Sequence, residues 1–237
     1  MALFEGVKAI AFDLDQTLID FAASRRAGLE ALLAEIKRAG FTVDRSAFLA
    51  RHRELNFRDD DVYIKTGIWR PSETRLRTLA EEFSLPADGF LKRMEEAYVE
   101  TRYANLHPYP ESEGVLRALS VHYPLFLVTN GPAAPQHREI VVTGLSKYFR
   151  RLFVCDDYGL RKPDPRMFEM IRAEAAVEPR EMLIAGDWYE ADIEVPRRLG
   201  WRTAWVVREE DRNARADRSA ADAVVRTVAE IPGLLGH

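Results

Sequence analysis

Short apolar segments recur along the chain, and longer stretches with helical spacing of apolar residues separate most of them. The short segments are continuous runs rich in β-branched residues, which is typical of strands buried on both faces of a parallel sheet. Helical patterns between the later segments predict right-handed βαβ units, and therefore a doubly wound, Rossmann-like α/β sheet. The predicted strands are Val7–Phe12, Leu125–Thr129, Leu152–Cys155, Met182–Ala185, Thr203–Val207 and Ala223–Val228.

Two helices between these strands have defined ends. The first has Asp164 as its N-cap and Pro165 at its first helical position, where a missing N–H costs nothing. The second is predicted over Ile193–Leu199 and ends at Gly200, a residue that readily adopts the left-handed conformation after a helix. The first helix carries its apolar residues at helical spacing, at Phe168, Ile171 and Ala175.

The region between the first two predicted strands has a different pattern. It contains no convincing strand, and apolar residues recur there with spacings of three and four, as on one face of a helix. Such a block inside an α/β pattern predicts an inserted α-helical domain at residues 20–106, within a core formed by residues 1–19 and 107–237. The apolar sets are Leu29, Leu32, Leu33 and Ile36, then Leu76, Leu79, Ala80 and Phe83, and more loosely Leu91, Met94 and Tyr98.

The composition excludes several classes of protein. The 237 residues are 47% hydrophobic, and 34 basic against 38 acidic residues give a net charge of −4, which gives no support to nucleic acid as a partner. We find no secretory signal and no run of ~18 apolar residues that would cross a membrane, so we expect a cytoplasmic protein without a membrane partner. The single cysteine, Cys155, fits a reducing compartment. The oligomeric state stays open.

Two carboxylates follow the first predicted strand. Asp13 and Asp15 lie two residues apart, so an extended chain places both side chains on the same side. In an open α/β sheet the carboxyl ends of the strands form the edge at which ligands bind. Two close carboxylates repel each other, and therefore require a cation, a shared proton or separation.

Polar residues also follow three other predicted strands. The second strand ends in a hydroxyl and a glycine that lets backbone amides approach an anion. A lysine beside a rigid proline follows the third strand and supplies a point cation. Two acids follow the fourth. The residues are Thr129, Asn130 and Gly131, then Lys162 before Pro163, and finally Asp187 and Asp192. Because each group closes a different strand, the set predicts one shared site.

Taken together, these motifs closely resemble the haloacid dehalogenase superfamily, in the branch with a helical cap inserted after the first motif. The resemblance covers Val7–Thr17 and about Pro108–Val207, and extends to the cap only in topology. The matching stretches are Phe12–Leu18, Thr129–Gly131, Gly159–Pro165 and Gly186–Asp192.

The resemblance implies a Mg²⁺-dependent phosphatase acting on a small phosphorylated metabolite. In this family Asp13 would be the nucleophile and would carry the phosphoryl group, and Asp15 would be the general acid and then the base. Lys162 would balance the charge on the phosphoryl oxygens. Those oxygens would be held by Thr129 and by the amides near Asn130 and Gly131.

The resemblance also implies the residues around the metal. The ligands would be the Asp13 side chain, the Asp15 backbone carbonyl and Asp187. Asp192 would orient Asp187 or a bound water, and Thr17 would form a hydrogen bond near Asp13 and support it. Trp188 departs from the pattern, since smaller or polar residues are commoner after the metal-binding aspartate.

Other activities stay open at this point. A hydrolytic dehalogenase of the same superfamily typically lacks the acid found here at Asp15 and needs no metal. A phosphonate hydrolase requires a lysine in the cap, and a sugar phosphomutase shares every core motif but transfers the group to a sugar hydroxyl. A non-catalytic binding module is a further alternative, for which loss of Asp13 or Asp15 would be the expected mark. The sequence does not rank the possible phosphomonoesters.

Overall fold

The chain folds into one unit built on a sheet and one built of helices. The computed structural model describes residues 2–86, 88–208, 219 and 221–236. The sheet-containing unit consists of Met1–Phe21 and His107–His237, and the helical unit is Ala22–Leu106. The helical unit is therefore a continuous insertion between the first strand and the rest of the sheet.

Among the residues that the structure describes, the sheet has six strands, all parallel, in the order β3-β2-β1-β4-β5-β6. This confirms the predicted doubly wound α/β fold. The strands are β1 Ala9–Phe12, β2 Leu125–Thr129, β3 Arg151–Val154, β4 Met182–Gly186, β5 Arg202–Val206 and β6 Ala223–Val225. The predicted sixth strand extends too far, because Thr227 already caps a short 3₁₀-helix at Val228–Glu230.

The centre of the sheet is strand β1, which pairs with β2 on one side and β4 on the other. Phe12 is level with Leu127 of β2 and with Ala185 of β4. All residues of β1, β2 and β4 are buried, as expected for strands covered on both faces. The backbone N–H of Asp13 still donates to the carbonyl of Ala185, at 2.9 Å, so Asp13 belongs to the end of the central strand.

The helices of the sheet-containing unit each precede a strand, except the last helix, which follows β6. They are α5 Ser112–Ser120, α6 Ala133–Thr143, α7 Pro165–Ala175, α8 Val195–Arg198 and α9 Ile231–Leu235. Helix α7 begins as predicted, since the Asp164 side chain accepts a hydrogen bond from the backbone N–H of Arg166. Its residues Met167, Phe168 and Ile171 pack in the core beneath the sheet.

The helix after β4 differs from the prediction. Instead of starting at Ile193, the helical chain begins with a π-helix at Tyr189–Glu194 and continues into the short α8. Pro196 has no N–H to donate back into that turn, which favours an irregular start. The wide turn is anchored by the Asp192 N–H, which donates to the Trp188 carbonyl at 2.7 Å.

The helical unit has its own apolar core, formed by residues such as Leu32, Phe48, Leu79 and Met94. The apolar sets found in the sequence lie on α1, α3 and α4, whereas α2 was not predicted. The helices are α1 Phe21–Arg38, α2 Arg45–Thr66, α3 Ser72–Glu82 and α4 Asp88–Ala104. Within the part of the chain that the structure describes, no helix is both long and apolar enough to cross a membrane.

Candidate active site

A buried lysine joins the ends of three strands. The Lys162 ammonium donates to Oδ1 of Asp13 at 2.7 Å, to Oδ1 of Asp192 at 2.6 Å and to the carbonyl of Val128 at 3.1 Å. These acceptors follow β1 and β4 or lie in β2. The lysine side chain is only 2% exposed, and its three N–H donors are matched by three acceptors. The structure therefore brings Asp13, Lys162 and Asp192 together at the carboxyl edge, as the sequence predicted for the set.

Asn130 fixes the chain segment that carries this lysine. Its side-chain Nδ2 donates to the Lys162 carbonyl, and its Oδ1 accepts from the Lys162 N–H, each at 2.8 Å. This reciprocal pair ties the residue after β2 to the loop before α7. The Asn130 side chain thus positions Lys162.

Burial and the neighbouring carboxylates shift the pKa of Lys162 in opposite directions. Burial alone lowers the pKa of an ammonium, but the negative charges of Asp13 and Asp192 outweigh it and hold the pKa of Lys162 above its usual range. Burial raises the pKa of the Asp192 carboxyl, and the Asp13 charge adds to the shift while Lys162 opposes it. Lys162 is therefore a permanent cation at neutral pH.

Three carboxylates converge beside this cation. One oxygen from each of Asp13, Asp187 and Asp192 lies within 4.8 Å of the others. Asp192 already accepts hydrogen bonds at both oxygens, from Lys162 and from the Trp188 N–H at 3.1 Å. The Asp13 Oδ2 atom is buried and has no hydrogen-bond partner among the described residues. A buried carboxylate oxygen without a donor is costly, and a cation relieves that cost.

Gly186 makes room for this cluster at the end of β4. A Cβ atom at this position would lie 2.4 Å from Cγ of Asp192, closer than such atoms approach in proteins. The backbone carbonyl of Asp187, the next residue, accepts a hydrogen bond from the Trp205 indole at 3.0 Å. The absence of a side chain at Gly186 therefore lets Asp192 reach Lys162, and Trp205 fixes the backbone beside Asp187.

The loop after β1 carries Asp15 and turns sharply. Gln16 has a positive φ of 62°, and its N–H donates to the Ile19 carbonyl at 2.9 Å. Thr17 is fully buried, and its Oγ1 has no hydrogen-bond partner among the residues described. The hydrogen bond that was expected from Thr17 near Asp13 is therefore not formed in this structure. Arg208 holds this loop by donating to the carbonyls of Gln16 and Thr17, at 3.0 Å each.

Two buried polar residues of α6 were missed by the sequence reasoning. Gln136 is 5% exposed and Glu139 is 1% exposed. Thr129, expected to hold phosphoryl oxygens, donates its hydroxyl to Oε1 of Gln136 at 2.7 Å, and Nε2 of Gln136 lies 3.3 Å from Oδ2 of Asp15. A signal was present, because two polar residues three positions apart, just after the Thr129–Gly131 motif, share the inner helix face with Ile140.

Two other residues with reactive side chains differ in their surroundings: His137 lies on the surface and Cys155 lies beside Lys162. His137 is half exposed and pairs with Asp157 at 2.8 Å on the surface. Cys155 is buried, and burial raises the pKa of its thiol to about 11, so it is not a reactive thiolate.

Comparison with known proteins identifies the family. A family model described as haloacid dehalogenase-like hydrolase matches residues 7–200. The chain belongs to the haloacid dehalogenase-like hydrolases. The match runs from β1 through the whole helical unit to α8, and it includes all the residues of the cluster around Lys162.

Proteins similar in sequence to this chain include an unspecified hydrolase and phosphatases named for different substrates. The HAD-hydrolase YfnB of Bacillus subtilis is 27% identical in an alignment that covers 84% of this chain and 83% of YfnB. A phosphoserine phosphatase of Thermus thermophilus is 29% identical, with 91% of this chain and 96% of that protein covered. A glyceraldehyde 3-phosphate phosphatase of Methanopyrus kandleri is 28% identical, with 85% of this chain and 84% of that protein covered.

Solved structures of the family share the fold. The crystal structure of YfnB bound to magnesium has a TM-score of 0.76 and 22% identity, covering 98% of this chain and 99% of that one. The L-2-haloacid dehalogenase PA0810 has a TM-score of 0.69 and 24% identity, with 95% and 97% covered. At this identity the likeness concerns the fold, which phosphatases and dehalogenases share.

Proposed function

We propose that this hydrolase is a Mg²⁺-dependent phosphatase that cleaves a small phosphomonoester through an aspartyl phosphate on Asp13, with Asp15 as general acid and base. The observation that carries the proposal is the state of the Asp13 carboxylate. Lys162 holds Oδ1, while Oδ2 is buried without a hydrogen-bond donor among the described residues. An ionised carboxylate fixed in this way needs no base to activate it as a nucleophile.

The donor set fits a Mg²⁺ ion. Several carboxylates surround a single ammonium, so the cluster lacks positive charge, and oxygen ligands are those that Mg²⁺ prefers. Because both oxygens of Asp192 accept hydrogen bonds from Lys162 and Trp188, we assign the ion to Asp13 and Asp187, with the backbone carbonyl of Asp15 as a further ligand. When bound, the ion would neutralise the charge of the phosphoryl oxygens.

The chain's own residues supply the remaining chemistry. In the first step an Asp13 oxygen bonds to phosphorus, the bond from phosphorus to the leaving oxygen breaks, and Asp15 gives its proton to that oxygen. In the second step Asp15 takes a proton from water, and the water oxygen displaces Asp13 from phosphorus. Lys162 balances the added negative charge throughout, and the amides near Asn130 and Gly131 hold the phosphoryl oxygens.

A dehalogenase activity is less well supported. Haloacid dehalogenases are among the similar structures, but at 24% identity they bear on the fold alone. When a carbon–halogen bond breaks, the halogen leaves as a halide ion and requires no general acid. This chain has an acid two residues after Asp13, namely Asp15, which contacts Gln136. A sugar phosphomutase shares this chemistry and differs only in the acceptor, and release of inorganic phosphate rather than an isomeric sugar phosphate would distinguish the two.

The relatives suggest where to search for the substrate. They include phosphatases named for phosphoserine, glyceraldehyde 3-phosphate and phosphoglycolate, and a pyrimidine 5'-nucleotidase. All of these names describe small phosphomonoesters, and a panel of these four compounds is the appropriate first screen. The cytoplasmic location stays a prediction.

The decisive experiment measures hydrolysis of para-nitrophenyl phosphate with Mg²⁺ and with excess chelator, for the wild type and for Asp13→Asn. We expect turnover that requires the metal and is lost in the variant. As a second readout, beryllofluoride, which mimics an aspartyl phosphate, should bind to the wild type and not to Asp13→Asn. Failure of both the aryl ester and the four metabolites, together with no beryllofluoride binding, would refute the proposal.

A further inference from the structure

Gln136 of α6 makes polar contacts in two directions from a buried position. Its Oε1 accepts a hydrogen bond from the Thr129 hydroxyl at 2.7 Å. Its Nε2 donates to Oε2 of Glu139 at 2.9 Å and to Oδ2 of Asp15 at 3.3 Å. The side-chain amide thus lies between the end of β2, the next turn of its own helix and the proposed general acid.

These contacts fix which way the amide points. An amide has two donors on nitrogen and an acceptor oxygen, and here the nitrogen faces two carboxylates while the oxygen faces a hydroxyl. The reversed orientation would place the amide oxygen against the carboxylates of Asp15 and Glu139, which is repulsive. Glu139 is 1% exposed and Thr129 is also 1% exposed, so both anchors are enclosed. Gln136 is consequently held independently of Asp15.

Gly131 leaves space for the Gln136 side chain because it has no side chain of its own. A Cβ atom at Gly131 would lie 2.8 Å from both Cγ and Nε2 of Gln136, and the residue has a φ of 133°, which disfavours side chains. The glycine of the proposed phosphate-holding loop therefore also gives Gln136 its path toward Asp15.

We propose that Gln136 is a positioning residue for Asp15, a role that rests on the proposed phosphatase function. Gln136 donates to Oδ2 of Asp15 and thereby restricts the rotation of the carboxyl group that would give a proton to the leaving group and take one from water. The amide fixes the carboxyl rotation without exchanging a proton itself. Misplacement of a catalytic group by about 1 Å costs up to about 10²-fold in rate, so such a hydrogen bond has a measurable effect.

The test uses two esters of similar size. Para-nitrophenolate leaves readily without a proton, whereas the benzyl alkoxide of benzyl phosphate requires one. For Gln136→Met, which keeps the volume but removes the donors, we expect kcat/KM to fall about 10²-fold on benzyl phosphate and less than about tenfold on para-nitrophenyl phosphate. Gln136→Asn, whose amide is too short to reach Asp15, should show the same selectivity and replaces Gln136→Met if that variant does not fold.

Val141→Thr serves as the matched control, since Val141 is 75% exposed on the same helix. This variant should keep the wild-type kcat/KM on both esters. Equal losses on the two esters, or no loss on either, would overturn the positioning role while leaving the phosphatase intact. A wild type that hydrolyses neither ester and does not bind beryllofluoride would instead refute the proposed function, and the inference would fail with it.

Discussion

The Lys162 ammonium lies 2.7 Å from Oδ1 of Asp13, although 149 residues separate the two along the chain. Their side chains are 2% and 8% exposed. The lysine also lies 2.6 Å from Asp192, so one buried cation serves two carboxylates. Such a group also affects stability, because removal of one partner leaves the others charged and buried.

Replacement of Lys162 by methionine should therefore destabilise the protein. We expect the free energy of unfolding, measured by urea titration in the presence of chelator, to fall by about 3–5 kcal/mol. Lys147→Met is the matched control, because Lys147 is 61% exposed and forms a surface pair with Glu113. It should unfold close to the wild type. Wild-type stability of Lys162→Met would show that the lysine does not compensate the buried carboxylates.

Metal binding should appear in stability as well as in activity. A ligand that binds only the folded state at 100 times its Kd adds about 2.7 kcal/mol. We expect Mg²⁺ to raise the melting temperature of the wild type relative to chelator, and Asp187→Asn to lose most of this rise. Asp61→Asn, at an aspartate that is 58% exposed on α2, should keep it. The assignment fails if Asp187→Asn shows the full wild-type rise.

The fold and the central residues of the site could be predicted from sequence because they follow local rules. Buried parallel strands appear as continuous apolar runs, and the residue after each strand marks the functional edge. Asp13, Lys162 and Asp192 were found in this way, and the structure brings their side chains into contact. Gln136 was missed because its spacing from Glu139 indicates only a polar inner face of the helix, and not the contact with Asp15 that forms in the folded chain.

Helix α2 was missed for a related reason. Its buried residues are Phe48, His52, Leu55, Asp59 and Tyr63, a helical stripe in which two of the five are polar. Arg75 of α3 satisfies both of those, donating to His52 at 3.2 Å and to Asp59 at 3.2 Å. A hydrophobic pattern cannot reveal such a helix, because its inner face includes polar side chains that find their hydrogen-bond partners only in the folded unit.

Arg208 is predicted to position the loop that carries Asp15. It donates to the carbonyls of Gln16 and Thr17, pairs with Glu111 at 2.8 Å and stacks on the Tyr109 ring at 3.3 Å. Arg208→Met keeps an apolar stem on the ring but removes every donor. We expect kcat to fall about tenfold or more, because the loop is no longer fixed from behind.

The control for this loop is Arg226→Met, since Arg226 is an exposed arginine of the same unit. It should keep wild-type turnover. Unchanged kcat in Arg208→Met, with correct folding shown by circular dichroism, would mean that the hydrogen bonds within the turn suffice to hold the loop.

Acid should destabilise the protein partly through His52. Burial, helped by the charges of Arg75 and Arg25, lowers the pKa of His52 to about 3. The unfolded chain, with a histidine pKa of about 6.5, then binds more protons than the folded one below that pH, so stability is lost as pH falls from about 6.5 toward 3. Between pH 7 and pH 5 the free energy of unfolding falls by about 2 kcal/mol through this histidine.

Urea titrations at both pH values measure this loss. In His52→Gln, whose amide oxygen can still accept from Arg75, the loss should be smaller than in the wild type by this amount. The surface variant His137→Gln should keep the wild-type loss. An equal loss in His52→Gln and the wild type would show that His52 is not the group that takes up the proton on unfolding.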